Sequence, residues 1–403
     1  MNASRFLRQL TETFLGLAIF FLPVSKSIVE GSIWIALIAW FLQKIVLREK
    51  WRVPKSLSCI YLLFLAVTLA STFQADPSHA LTAWRGFFKW FKFLALFFLS
   101  FEIFEDERVV KKIVQVFLAS LVLTVLNGFY QMFHEKDFLG RYSVDVPGRW
   151  IRMQSSFGSP NGLAGYLLVG LPLLFASWFT QNKWTLKSAL SAAAVIGSGV
   201  AFVSTLSRAA FLALLLSLTA FAVFRKKIAW ILASGAILGV VLLVSPALRE
   251  NFVGSLNRSD ITVGERLRFW NATLKMISDR PWTGHGVNSF FYTFPKYAPA
   301  TETYRGYAHN CYLQMASETG IIGLLLFLVP VFWILWRSFA KPSGHLSIEA
   351  LTIGLTAFLL QSAVDTHFYS LQQAALFWIF WGMLSASRLK TTQTASSPHR
   401  LPG

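Results

Sequence analysis

Apolar residues run through this chain in long, nearly uncharged segments, near 12–29, 31–47, 57–73, 84–101, 110–133, 161–179, 186–203, 209–224, 228–245, 312–336, 346–364 and 368–387. A helix needs roughly 20 such residues to cross about 30 Å of hydrocarbon. None of the segments shows the ten-residue alternation of an outer-membrane barrel. The pattern predicts an all-α, polytopic membrane protein of about 12 transmembrane helices. Nine would lie in 1–245, interrupted by an external loop at 134–160. A long polar loop, 246–311, would precede three more in 312–387 and a tail at 388–403. The closely spaced pairs at 12–47 and 346–387 leave room for tight turns, or for re-entrant pairs.

Composition agrees: 55% of residues are hydrophobic and 14% charged, where a soluble domain carries about a quarter charged. The net charge of +18 is explained by where the cations fall. With the N-terminus in the cytoplasm, the basic groups at Lys44–Lys55, Arg108–Lys112, Lys183–Lys187, Arg225–Lys227, Arg337–Lys341 and Arg388–Lys390 all become internal. That is the distribution of a positive-inside topology, so both ends are expected in the cytoplasm and no nucleic-acid partner is implied. Cys59 and Cys311 have neither metal spacing nor a disulfide framework. No cleavage signal follows the first segment, which is read as a retained span.

The two large external loops depart from the charge rule. Loop 134–160 carries Lys136, Arg141, Arg149 and Arg152, and loop 246–311 carries eight basic residues against five acids. Long loops translocate regardless of charge, so these arginines serve either salt pairing or an anionic substrate. Span four bears Arg85, Lys89 and Lys92 near one helical face. They either snorkel to the headgroups of membrane lipids or form a strip along a lipid-phosphate path. The stretch 157–174 reads as a turn, a cap and a span whose glycines allow close packing.

The chemistry-bearing residues gather around 204–323. Arg208 opens the eighth span, where a cation faces the positive end of the helix dipole and needs a compensating partner, an acid or a substrate phosphate. Residues 264–280 read as an amphipathic helix lying on the membrane surface. Leu267, Trp270, Leu274 and Ile277 form its apolar stripe, Arg266 lies on the flank, and Arg268 and Lys275 are opposite. Pro281 and Gly284 end it. His309, in Ala308-His309-Asn310, stands where loop becomes span and has the near-neutral pKa of a general base. His285 is second choice because its flanking glycines suggest a turn. Glu318 lies half a rotation round an ideal helix from His309, so it should find another buried partner.

No nucleotide cradle or metal cluster is visible, and no cofactor is expected. Arginine offers paired donors for phosphate, and histidine can accept a proton from a hydroxyl. Together they suit attack by an alcohol on a sugar whose leaving group is a lipid diphosphate.

Four pieces, FGSPNGLAGYLL (157–168), STLSRAAFLALLL (204–216), ERLRFWNATLKMISDRPWTGHGVNSF (265–290) and AHNCYLQMASETGIIGLLLF (308–327), resemble in sequence and order the O-antigen ligase and O-antigen polymerase superfamily of bacterial envelope glycosyltransferases. The chain departs mildly, with STLSRAA where many relatives have glycine after Ser-Arg, and with GHG where others have a bulkier or apolar centre. The resemblance implies an inner-membrane enzyme with a periplasmic site. It would transfer a glycan from an undecaprenyl-diphosphate-linked donor to a lipid A–core or other glycan acceptor, without metal or nucleotide. It assigns catalysis to His309, Arg208 and Arg266. Arg268, Arg85, Lys89, Arg149, Arg152, His285 and Asn310 are the expected substrate contacts. Chain length, span count and the single large loop favour a ligase that uses lipid A–core. A polymerase joining carrier-linked repeats, a protein O-oligosaccharyltransferase and a multispanning transporter are the alternatives.

Overall fold

Thirteen α-helices and no strand make up the described residues of the computed structural model, which are 3–141, 152–181, 183–226, 235, 261–299 and 306–394. In order they are α1 (Ala3–Phe21), α2 (Lys26–Ile45), α3 (Lys55–Thr72), α4 (Ala80–Ile103), α5 (Glu107–His134), α6 (Pro160–Phe179), α7 (Leu186–Ser204) and α8 (Arg208–Phe224). They continue with α9 (Ile261–Asp279), the short α10 (Phe290–Thr293), α11 (Cys311–Ala340), α12 (Leu346–Gln361) and α13 (Leu371–Thr394). Of these, α2, α3, α5, α6, α7 and α11 are long and apolar enough to cross a membrane, and α8 and α12 are apolar but shorter. The expected ninth span at 228–245 apart from residue 235, Arg149, residues 246–260 and 300–305 of the long loop and the last residues of the tail lie outside the described residues.

Helix starts follow their capping chemistry. Ser159 and Thr185 accept N–H bonds from Gly162 and Ser188 at the heads of α6 and α7, and Asp106 does the same for α5, satisfying donors that a helix N-terminus leaves orphaned. The first helical pair breaks earlier than hydropathy suggested. α1 begins at Ala3 and stops at Phe21, and Ser25 caps α2 with a bond from Ile28 N–H. Pro23, apolar and therefore invisible to a hydropathy count, cannot sit inside a helix without removing a hydrogen bond.

The bundle closes around α13. Eight consecutive residues, Ala374 to Trp381, are wholly buried; a helix apolar on every side has neighbours on every side. It packs chiefly on α4 and α12, and Trp381 Nε1 donates to Tyr61 Oη on α3 at 2.9 Å. Elsewhere α1 pairs with α2 and α5, α3 with α11, and α12 with α6 and α8. The α6–α12 approach is backbone to backbone, since a Cβ on Gly354 would stand 2.8 Å from Leu168 O.

Charges are paired at one end of the bundle. Arg8 meets Asp106, Lys44 meets buried Glu102, Arg52 meets Glu105, and Glu349 receives both Arg225 and Arg388. Contacts at the opposite end join a different set of connections. Arg141 reaches Val24 O, Met153 N–H bonds Ser204 O, Arg280 bonds Gln74 O, and Cys311 N–H bonds Ser362 O. These two groups of loops coincide with the two groups that the basic residues separate in the sequence. Lys92 belongs to neither, since its Nζ bonds both oxygens of Glu30 on α2 at 2.7 and 2.6 Å.

Gly354→Val should lower the detergent melting temperature by the equivalent of about 1–3 kcal/mol of overpacking. Gly31→Val, where a Cβ meets nothing within 4 Å, should leave it nearly unchanged; differential scanning fluorimetry of the two variants makes the comparison.

Candidate functional site

The second group of loops is built on a break in α11. Gly320 has φ 75° and ψ 172° in mid-helix, a left-handed position that favours glycine. The break removes the bond that Ile321 N–H would give to Ser317 O four residues back. Loop 281–286 replaces what is lost. Ile321 N–H donates to Pro281 O at 2.8 Å, Ser317 O accepts from His285 N–H at 2.9 Å, and Glu318 O accepts from Gly286 N–H at 3.1 Å. Ser71 Oγ on α3 adds a bond to Glu318 O at 2.5 Å. The contact needs three glycines: a Cβ on Gly320 would strike the Trp282 carbonyl, one on Gly284 the Glu318 carbonyl, and one on Gly286 the backbone of Ala75.

Loop 281–286 is the continuation of α9, and α9 carries Arg266. The expected helix is present, but its buried face differs from the stripe expected from the wheel. Phe269, Ala272, Thr273 and Met276 are buried, while Leu267 and Leu274 are about half exposed. Phe269, Ala272 and Met276 join Phe290, Phe294 and Ala308 in a small core separate from that of the bundle. The helix has two apolar faces, and the wheel had weighted the larger leucine-bearing one. Arg266 is half-buried, and Arg268 and Lys275 are exposed as expected.

His285 serves this layer as a latch. Its ring Nε2 lies 2.9 Å from Met276 O, and its side chain is buried. With a carbonyl as partner that nitrogen carries the proton. Burial holds the His285 pKa below the ordinary histidine range. The ring nitrogen facing α9 is thus committed to a backbone carbonyl, which disfavours His285 as a base.

His309 is held differently. Its backbone is left-handed, φ 49°, a conformation that costs a non-glycine residue roughly 1–2 kcal/mol. Fixed neighbours surround it. Ala308 N–H bonds Gln314 Oε1 at 3.1 Å, and Ala308 O accepts from Trp270 Nε1 at 3.1 Å. Asn310 Oδ1 caps α11 by accepting from Tyr312 and Leu313 N–H, both at 3.0 Å. The Asn310 carbonyl oxygen, expected as a substrate contact, is therefore engaged in capping. Phe269 lies alongside the His309 ring, centroids 6.2 Å apart. Burial lowers the His309 pKa; Asp365 and Glu265 act to raise it, and Arg266 to lower it further. Burial thus favours the neutral ring, the form a proton acceptor needs.

Arg266 and His309, forty-three positions apart in sequence, are brought within electrostatic reach of each other. Asp365 lies in the short connection between the last two apolar segments. It is buried, with Oδ1 taking Thr366 N–H at 2.7 Å and no partner for Oδ2 among the described residues. Cys311 ties that turn to the His309 corner, with Sγ donating to Asp365 O and accepting from Phe368 N–H. An acid isolated between two spans was the available signal.

Arg208 heads α8 at the same end of the bundle. Ser217 Oγ bonds Ile353 O across the α8–α12 contact, and the helices run in opposite directions, so equal helical rise places Arg208 level with Ser362. The described contacts do not join Arg208 to His309. Arg152 braces the α7–α8 junction, with Nε donating to Thr205 O and Nη2 to Asn161 Oδ1. Arg85 is exposed. Lys89 turns inward: its Nζ donates to Tyr369 O at 3.0 Å and lies 5.1 Å from that ring's centroid. With Lys92 paired to Glu30, the three cations of α4 do not form one continuous strip. Glu318 does find other partners, in Gln314 and Tyr369.

The described residues are thus those of a helical, multi-pass membrane protein whose broken helix and amphipathic helix place Arg266 within electrostatic reach of His309. Residues 192–328 match the family model described as O-antigen ligase. The match supports the O-antigen ligase/polymerase superfamily and a membrane glycosyltransferase of that type. It spans Arg208, Arg266, Arg268, His285, His309 and Asn310, and ends before Asp365. No curated protein matches the chain.

Gly320→Ala should undo the docking of 281–286 on α11. Hydrogen exchange at His285, Gly286 and Ile321 should then accelerate roughly tenfold or more, while amides in the middle of α13 keep their protection.

Proposed function

We propose that this protein is an O-antigen ligase, moving a glycan from undecaprenyl diphosphate to the lipid A–core oligosaccharide at the periplasmic face of the bacterial inner membrane. The observation that supports it most is the packing of α9, which carries Arg266, against the His309 corner through Phe269 and Trp270, inside the family match. The step needs no nucleotide because the sugar is already bonded to a diphosphate leaving group. The acceptor hydroxyl oxygen attacks the anomeric carbon while His309 takes its proton. The bond between that carbon and the diphosphate oxygen breaks, and its electron pair leaves on undecaprenyl diphosphate. Arg208 and Arg266, with Arg268 nearby on α9, neutralise the charge that grows there. One direct displacement inverts the anomeric centre. The exposed Leu267 and Leu274 suit a helix resting in the headgroup layer, which would hold this machinery at the height of a carrier diphosphate.

Purified protein in nanodiscs, with a diphosphate-lipid glycan donor and a core acceptor, should transfer sugar in excess EDTA. His309→Ala should lower kcat roughly 10²–10⁴-fold, the usual value of a general base. Arg266→Ala should cost about 2–4 kcal/mol in the transition state, or roughly 30- to 1000-fold. Lys275→Ala, on the exposed side of α9, should be nearly silent. A His309→Ala enzyme retaining more than about a tenth of the rate removes the histidine as base.

The pH profile gives a second check. His309 is needed unprotonated and its pKa is lowered, so activity should hold at neutral pH and fall as pH drops through the depressed value. The acid limb should be centred below the ordinary histidine value of 6.5 and should vanish in His309→Ala. Gene deletion separates the two transferases of this superfamily: loss of a ligase leaves long polymer on the carrier and bare core, whereas loss of a polymerase caps the core with single repeat units.

A further inference from the structure

His309 sits at a left-handed backbone position, and something must hold it there. The Ala308 amide, one residue before it, points at a side chain from the next helix turn. Because Ala308 N–H is a donor, it meets the oxygen of Gln314, at 3.1 Å. That fixes which way the amide lies, so Gln314 Nε2 faces Glu318 and donates to its Oε1 at 3.1 Å. Glu318 is anchored in turn, since its Oε2 accepts from Tyr369 Oη at 3.4 Å. Both Gln314 and Glu318 are about 1% exposed, and their spacing of four places them on one face of the first piece of α11. Glu318 also belongs to the segment where loop 281–286 docks. A continuous chain of bonds therefore runs from the break in α11 to the Tyr307–Ala308 peptide, one unit before the peptide that carries His309, whose oxygen Trp270 Nε1 holds.

We propose that Gln314, oriented by Glu318, is the positioning residue that fixes the His309 backbone in its left-handed conformation and so aims the ring at the acceptor. This rests on the reading of His309 as the base. Neither residue touches substrate. Gln314 stands between Glu318 and the Ala308 amide and converts a carboxylate in the protein interior into a fixed backbone geometry. The pair's value lies in its donor and acceptor order. A carboxylate at 314 would face the Glu318 carboxylate, and the buried pair would have to take up a proton to avoid two adjacent like charges. Exchanging both residues restores the order, because the carboxylate at 314 accepts from Ala308 N–H and from the amide then at 318, whose oxygen still accepts from Tyr369.

Four variants, each checked for membrane expression and detergent monodispersity, test this: Gln314→Leu, Gln314→Glu, Gln314→Glu/Glu318→Gln, and His309→Ala. Gln314→Leu should lower kcat roughly 10–100-fold, the cost of misplacing a reacting group by about an ångström, with donor and acceptor KM within about twofold of wild type. Gln314→Glu should be at least as impaired, and the double exchange should recover most of the lost kcat. Diethyl pyrocarbonate modification of His309, followed by peptide mass spectrometry, reports its setting without catalysis; Gln314→Leu should change that rate several-fold, and the double exchange should return it. Wild-type kcat in Gln314→Leu, or an unaltered modification rate, overturns the proposal. So does failure of a well-folded double exchange to recover. If His309→Ala stays active, the base assignment falls, and the modification rates still decide whether Gln314 positions residue 309.

Discussion

The site depends on a helix that is interrupted and repaired by another segment. At Gly320 the backbone leaves the helical region, and in a span the freed groups have no water to turn to; each one left unsatisfied costs several kcal/mol. Ser317 O, Glu318 O and Ile321 N–H are satisfied by Pro281, His285, Gly286 and Ser71. The repair binds loop 281–286 to α11 by backbone alone. The chain either side of that loop, α9 before it and α10 after it, is then set in register against the first turns of α11. Arg266 and His309 come within electrostatic reach because both are measured from the same break.

Strain at His309 follows the same logic. A left-handed histidine persists only where its surroundings over-determine it, and here Gln314, Trp270, the Asn310 cap and the Cys311–Ser362 bond all act within a few residues. Each of those partners comes from a different part of the fold: the same helix, α9, the cap itself and the end of α12. A residue so constrained can present a neutral imidazole in one direction, which suits proton transfer at a fixed point above the bundle. The paired charges at the far end, such as Lys44–Glu102 and the Glu349 cluster, have a plainer role in closing helix ends.

Much of this could be read from the residues in order. Long apolar runs dictate helices because the backbone in hydrocarbon must bond to itself, and the observed bounds of α3 to α8 fall close to the runs. Arg208, Arg266 and His309 were visible as a chemical set, since phosphate chemistry calls for guanidinium and proton removal for imidazole. Hydropathy misplaced the α1–α2 break because Pro23 is apolar yet acts on geometry. The helical wheel of α9 could rank apolar faces by size, but could not say that Phe269, Ala272 and Met276 had a partner waiting in Phe290, Phe294 and Ala308.

What the sequence determined by itself was the class of molecule, the grouping of its loops into two sets and the candidates for its reactive side chains, all of which are properties of single residues or of their neighbours along the chain. Only the tertiary structure decided which of those side chains meet. That Cys311 ties the Asp365 turn to the His309 corner, that Lys89 turns to Tyr369, and that Tyr369 reaches Glu318 are consequences of close packing between segments far apart in sequence. Pairings of that kind depend on a backbone break at one glycine and on where the loop that mends it comes from, and no local pattern of residues encodes either distance.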